Sequence, residues 1–156
     1  MDSTAQRRVL FVCSGNTCRS PMAQAIAVEI ATDRGEEEDV LFESAGLSPG
    51  GRVSPEALKA LEAIRVESKT IRGRRSRSLD FVLERDHWDL VVVMEYAMKS
   101  QVGPPQWPAT KVMTIKELAN ESGDLEDPIG KGERIYMETA REIRRLLETG
   151  WKLLSA

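Results

Sequence analysis

The stretch Val9-Leu10-Phe11-Val12-Cys13-Ser14-Gly15-Asn16-Thr17-Cys18-Arg19-Ser20-Pro21 decides how this chain folds. Val9 to Val12 is a short apolar run of strand length. Ser20-Pro21 reads as a helix N-cap followed by Pro at the first helical position. Beyond it Met22, Ala23, Ile26, Ala27 and Ile30 recur at helical spacing, and Gly35 closes the helix. The unit is therefore strand, tight loop, helix, with Cys13 immediately after the strand.

Working outward, the same alternation continues. Val40 to Ser44, Leu90 to Met94 and Lys111 to Ile115 read as strands. Ser54-Pro55 repeats the cap signature ahead of Ala57, Leu58, Leu61 and Ile64, and Leu79, Val82 and Leu83 mark a third helix. A short helix over about 95–102 leads into the turn Gly103-Pro104-Pro105, and a last helix runs from about Gly132 to Thr149, with Tyr136, Ala140, Ile143 and Leu147 as its stripe and Gly150 as its stop. Strands separated by helices predict an α/β fold: a doubly wound three-layer sandwich with a four-stranded parallel sheet and about five helices. Residues 1–156 read as a single domain, Met1 to Gln6 being a loose tail. In such folds ligands bind beyond the carboxyl ends of strands, at a switch in strand order, which is where Cys13 falls.

Composition narrows the chemistry. The 156 residues are 41% hydrophobic and 30% charged, as in an ordinary globular protein, and the net charge of −3 argues against nucleic acid as a partner. The apolar run at 9–12 is too short for a leader or a membrane span, so no membrane partner is expected, and a cytoplasmic, reducing location with free thiols is the default. Two cysteines and one histidine exclude a disulfide framework and a multi-His metal site. No metal or cofactor is expected, and a monomer is the default oligomeric state.

Both cysteines lie in the loop, in a Cys-x5-Arg-Ser arrangement. A tight strand-to-helix loop turns successive backbone N–H groups of Ser14, Gly15, Asn16, Thr17, Cys18 and Arg19 inward, and the helix adds its positive end, so phosphate or another oxyanion is the expected guest. Gly15 and Asn16 tolerate the left-handed backbone such a loop needs. Arg19 offers a planar fork matching two phosphate oxygens. Cysteines at helix N-termini near cations become thiolates readily, so Cys13 is the candidate nucleophile without a His base, and Ser20 the candidate donor to its sulfur. A leaving group then needs an acid. His87, in Asp86-His87-Trp88-Asp89, reads as a surface or capping residue. Asp127, in Leu125-Glu126-Asp127-Pro128-Ile129-Gly130, is the better placed carboxylate, although an Asp-Pro pair also simply opens turns.

From Val9 to Leu147 the chain resembles the low-molecular-weight protein-tyrosine-phosphatase family, on the loop at 9–21, Glu43-Ser44-Ala45-Gly46, and Asp127-Pro128. The order, nucleophile loop first and acid near the end, separates this family from other Cys-x5-Arg phosphatases. The resemblance implies that Cys13 attacks phosphorus, Arg19 holds the phosphoryl oxygens, and Asp127 protonates the leaving atom and then activates water against the phosphocysteine. It implies phosphorylated proteins as substrates and makes Asn16, Ser20 and Ser44 the support of the loop. Gln24 and Arg74 stand where the family often has Glu and His. Ile129-Gly130 replaces the tyrosines of many tyrosine-specific members. Thr17, where those members carry a bulky aliphatic residue, resembles the bacterial protein-arginine phosphatases, as does Asp127-Pro128-Ile129-Gly130. Thr17, Leu47 and Ile129 are thus candidate specificity residues, and phosphoarginine is slightly favoured over phosphotyrosine.

Two other readings use the same loop. A thioredoxin-coupled arsenate reductase needs further cysteines downstream, and none follows Cys18. A non-catalytic phosphoprotein-binding module needs only the cradle, not the acid. Cys18 is either a small packing residue or the partner of Cys13 in a reversible protective disulfide. Arg72, Arg74, Arg75 and Arg77 form either a solvated loop or a patch for an anionic partner. Trp88 and Trp107 read as packing residues.

Overall fold

A computed structural model describes residues 6–102 and 109–156. Trp107, the turn at 103–105 and all of the expected tail except the exposed Gln6 lie outside the described residues. The elements run β1 (Arg7–Cys13), α1 (Arg19–Asp33), β2 (Val40–Gly46), α2 (Pro55–Ala63), α3 (Leu79–Arg85), β3 (Leu90–Val93), α4 (Met98–Val102), β4 (Lys111–Thr114), α5 (Ile115–Leu118), α6 (Glu133–Thr149) and α7 (Trp151–Ser155). The strands are all parallel, in the order β2-β1-β3-β4.

Val9 to Val12 and Leu90 to Val93 are buried without exception. Successive strand residues point to opposite faces, so both faces of the sheet are covered and the predicted three layers follow. The chain leaves β1 toward β2 on one side and returns to β3 on the other. The switch in strand order therefore lies at the carboxyl end of β1, where Cys13 pairs with Gly46 and Val12 with Val93.

Seven described helices replace the expected five. One addition, α5, is a single turn held by a capping box: Thr114 Oγ1 accepts from Glu117 N–H, and the Glu117 carboxylate accepts from Thr114 N–H. The other, α7, follows Gly150. That glycine ends α6 as expected, but with φ −97° and not in the left-handed form, and the chain turns straight into a new helix. A Cβ at Gly150 would collide with the Leu118 carbonyl oxygen, so close approach to α5 is what requires glycine there. The cap of α1 also differs: Cys18, not Ser20, is the N-cap residue, and Pro21 lies within the first turn. Ser54 caps α2 as read, its Oγ accepting from Ala57 N–H.

Trp88 is buried and stacks under the Arg8 guanidinium at 4.9 Å. His87 faces Asp89 at 3.2 Å, at the opening end of β3 and away from the switch point.

Candidate active site

Ser20 explains why the helix starts early. Its side chain is spent on the loop: Oγ lies 3.0 Å from Cys13 Sγ and accepts from Asn16 Nδ2 at 2.8 Å. Ser20 N–H also points at Cys13 Sγ, at 3.4 Å. Cys13 is buried, so its sulfur faces donors rather than solvent.

The left-handed residue of the loop is Asn16, with φ 56°; Gly15 does not take that conformation. Asn16 is 1% exposed and every polar atom of its side chain is used. Nδ2 donates to Ser20 Oγ and to Ser44 Oγ, and Oδ1 accepts from Arg77 N–H. Ser44 Oγ donates to Gln24 Oε1 at 2.7 Å and accepts from Arg74 Nη2 as well, so its single proton and both lone pairs are engaged. Gln24 Nε2 ends the chain on the Phe42 carbonyl. Gln24 and Arg74 thus hold Asn16 through Ser44, and the departure from the family's Glu and His is accommodated. Gly46 has a separate task. A Cβ there would come within 2.9 Å of the backbone of Ser14, Gly15 and Asn16, so glycine lets β2 act as the floor of the loop.

Arg19 is 1% exposed. Nη1 donates to Glu95 Oε2 at 2.6 Å and to the Leu125 carbonyl at 2.7 Å; Nη2 lies 3.5 Å from Ser14 Oγ and 3.6 Å from Asp127 Oδ2. Its Nε is a buried donor without a hydrogen-bond partner among the described residues. Glu95 was missed by sequence reading. The available signal was position: it follows β3, neighbour of β1, at the carboxyl end where the loop lies.

Asp127 is half-buried. Oδ1 accepts from Ile129 N–H at 3.1 Å, an Asx turn that aims the carboxylate back at the loop, and Cys18 Sγ approaches it at 3.9 Å. Cys18 and Cys13 are both free thiols. Burial pushes the Cys18 thiol above its ordinary range, a hydrogen bond with Thr17 opposes this, and the charges of Cys13 and Asp127 add to it. Thr17 Oγ1 lies 3.7 Å from Cys18 Sγ. Beneath the loop, burial drives Tyr136 up to about 12. Leu47 donates its N–H to the Cys13 carbonyl and is half-buried against the core, whereas Ile129 is exposed. The structure therefore gathers Cys13, Ser14, Asn16, Cys18, Arg19, Ser20, Ser44 and Asp127 at the end of β1, with Thr17, Leu47 and Ile129 beside them.

A cysteine at the head of a tight strand-to-helix loop, with a buried arginine and a facing carboxylate on a parallel sheet, is an arrangement suited to a cysteine-dependent phosphatase. The family model described as low molecular weight phosphotyrosine protein phosphatase matches residues 8–155, and the chain belongs to that family. The protein-arginine-phosphatase of Bacillus subtilis (strain 168) is 35% identical over 144 residues, covering 89% of this chain and 91% of that protein. The low molecular weight protein-tyrosine-phosphatase PtpB of Staphylococcus haemolyticus is 30% identical over 141 residues, covering 90% and 94%. The crystal structure of a low molecular weight protein tyrosine phosphatase from T. tengcongensis superposes with a TM-score of 0.81 at 35% identity, covering 96% of this chain and 100% of that one. The chain is accordingly a protein phosphatase of the cysteine-dependent type. Among the described residues no helix is long and apolar enough to cross a membrane.

Proposed function

We propose that this protein, acting as a single domain, hydrolyses phosphoarginine or phosphotyrosine in proteins through a phosphocysteine intermediate. The observation that carries this is the placement of Cys13 Sγ against Ser20, with Arg19 buried beside it and Asp127 3.6 Å from the Arg19 guanidinium. Cys13 attacks phosphorus, and the leaving atom takes a proton from Asp127. The backbone N–H groups of residues 14–19 and the Arg19 fork hold the phosphoryl oxygens. The unpartnered Nε supports this role, because a buried open donor costs about 1–3 kcal/mol until an acceptor meets it. Asp127, now a base, draws a proton from water, which displaces Cys13 from phosphorus. Ser20 donates to the Cys13 thiolate at the start and again as it leaves. Steady-state release of phosphate from an aryl phosphate and from phosphoarginine and phosphotyrosine peptides tests the reading; no turnover of any of them would refute it. Arsenate reduction with thioredoxin in place of that turnover would put the reductase reading in its stead.

We infer that phosphoarginine is the preferred substrate. Thr17 supports this: its hydroxyl stands in the loop 3.7 Å from Cys18 Sγ, able to accept from a guanidinium N–H or to orient the attacking water. Leu47 and Ile129 flank the same mouth as contacts for the remainder of the residue. Thr17→Ile is expected to lower kcat/KM for phosphoarginine peptides about tenfold or more, and to leave phosphotyrosine peptides within about threefold, the usual effect of one misplaced polar contact. If the wild type favours phosphotyrosine and Thr17→Ile changes neither ratio, the preference is wrong.

Cys18 is proposed as the resolving thiol. Peroxide converts the Cys13 thiolate to a sulfenic acid; Cys18 sulfur attacks it, forming the Cys13–Cys18 bond and releasing water, and a dithiol later reduces the bond. Because Cys18 is held in its protonated form, the second step should accelerate as pH rises above the ordinary thiol range. Mass spectrometry of peroxide-treated protein at several pH values, with Cys18→Ala for comparison, checks this. No intramolecular disulfide, and equal recovery of both proteins after reduction, would exclude it.

A further inference from the structure

Two arginines face each other on a narrow ribbon at the edge of the site. Arg52 and Arg75 are directly opposed in an isolated antiparallel bridge, closed beside them by a bond from Ser76 N–H to the Gly51 carbonyl. That bond flanks the pair rather than linking it, so the two residues form the non-hydrogen-bonded type of pair, whose Cα atoms lie about 4.5 Å apart with side chains on one face. Like charges in this position are destabilising. Both residues are exposed, and neither forms an ion pair with an acidic group among the described residues. Glu43, the carboxylate of this region, is engaged by Arg77 and Arg74. The Arg52 guanidinium is steered toward the opposite arm by its bond to the Gly73 carbonyl at 2.7 Å. A protein of net charge −3 keeps an unneutralised cationic pair here.

Both arms of the ribbon are fastened to the oxyanion loop. On one, Gly50 N–H donates to the Gly15 carbonyl and Ser54 N–H to the Thr17 carbonyl. On the other, Ser76 Oγ donates to the Asn16 carbonyl and Arg77 N–H to Asn16 Oδ1. Arg52 lies two residues from both anchors of its arm, and Arg75 one from Ser76. At ~3.3 Å per extended residue the pair stands within roughly 10 Å of the loop, the distance at which a substrate chain places side chains two to four residues from its phosphorylated position.

We propose that Arg52 and Arg75 form a docking subsite for carboxylate side chains flanking the phosphorylated residue, so that this phosphatase selects acidic segments of its protein substrates. The proposal rests on the phosphatase reading and adds a substrate class to it. Opposite charge within about a Debye length raises encounter and lowers KM, while the chemical step is untouched.

The test compares peptides carrying the same phosphorylated residue, arginine or tyrosine, flanked by Glu or by Lys. Binding to Cys13→Ser is read by fluorescence anisotropy, and kcat/KM is read for the wild type and for Arg52→Glu/Arg75→Glu. Glu-flanked peptides should be favoured about fivefold or more through KM, the preference should fade at high salt, and the double variant should erase or reverse it while aryl phosphate turnover stays unchanged. Arg52→Gln/Arg75→Gln gives the same reading should charge reversal impair folding. Equal treatment of the two peptides by the wild type, or an intact preference in either double variant, overturns the subsite. The binding arm decides this even if no peptide is hydrolysed, an outcome that would sink the phosphatase reading instead.

Discussion

Cys13→Ser is expected to lower turnover of an aryl phosphate by about four orders of magnitude or more, as removal of a nucleophile does in other covalent enzymes. The hydroxyl that replaces the sulfur has no base to ionise it. What surrounds that position is the Ser20 hydroxyl and N–H, which point hydrogen-bond donors at the sulfur and do not remove a proton from an alcohol. Because Asn16, Ser44, Gln24 and Arg74 hold the loop without help from Cys13, phosphate and phosphopeptides should still bind within a few fold of wild type. Parallel measurement of kcat and of ligand affinity checks both halves. Residual turnover within tenfold of wild type would mean that Cys13 is not the nucleophile, and the loop would then be a binding cradle only.

Asp127→Asn should follow with a loss of about 10²- to 10⁴-fold, the usual contribution of a positioned general acid. Asn keeps the acceptor that Ile129 N–H needs, so the turn survives and the loss reports chemistry. The deficit should shrink as the leaving group becomes more acidic, because a good leaving group departs without a proton. It should persist in hydrolysis of the phosphocysteine, where the same carboxylate serves as base, so that rapid mixing shows a burst of aryl alcohol followed by slow phosphate release. A deficit independent of the leaving group would assign the acid to another residue.

The strand β3 was legible because a strand covered on both faces must be apolar without interruption, as Leu90 to Met94 is. The α1 stripe and the Ser54-Pro55 cap followed from equally local chemistry, and the parallel sheet from the alternation of strands and helices. Local chemistry misled at Ser20. A serine before a proline is a cap by propensity, yet its hydroxyl is claimed by Cys13 and Asn16, contacts seven and four residues away that exist only once the loop has closed. Gly150 stops α6 as read, but for a different reason. Glycine is read as a stop because of its backbone freedom, whereas here it is needed for want of a side chain against Leu118. Within the site, Cys13 and Arg19 were singled out from the chemistry of the loop and Asp127 chiefly by resemblance, and the fold brings Arg19 and Asp127 to the loop that Cys13 opens, while Glu95 was missed. A single acidic residue after a strand reads as solvated surface until the sheet order sets β3 beside β1. Arg74 was visible only as an exchange, since nothing in 71–77 says that its guanidinium reaches back to Ser44.

Gly46 and Ser44 belong to β2, yet they shape a loop that belongs to β1 and α1. The loop is therefore not a portable cassette. Residues 13–20, spliced between another strand and helix, would carry Cys13 and Arg19 but leave behind the Gly46 backbone on which Asn16 rests and the Ser44 hydroxyl that accepts from its amide. Whatever is inherited, recombined or transplanted as this site has to include the end of the neighbouring strand, so that two motifs 24 residues apart at their nearest, Ser20 to Ser44, form one unit.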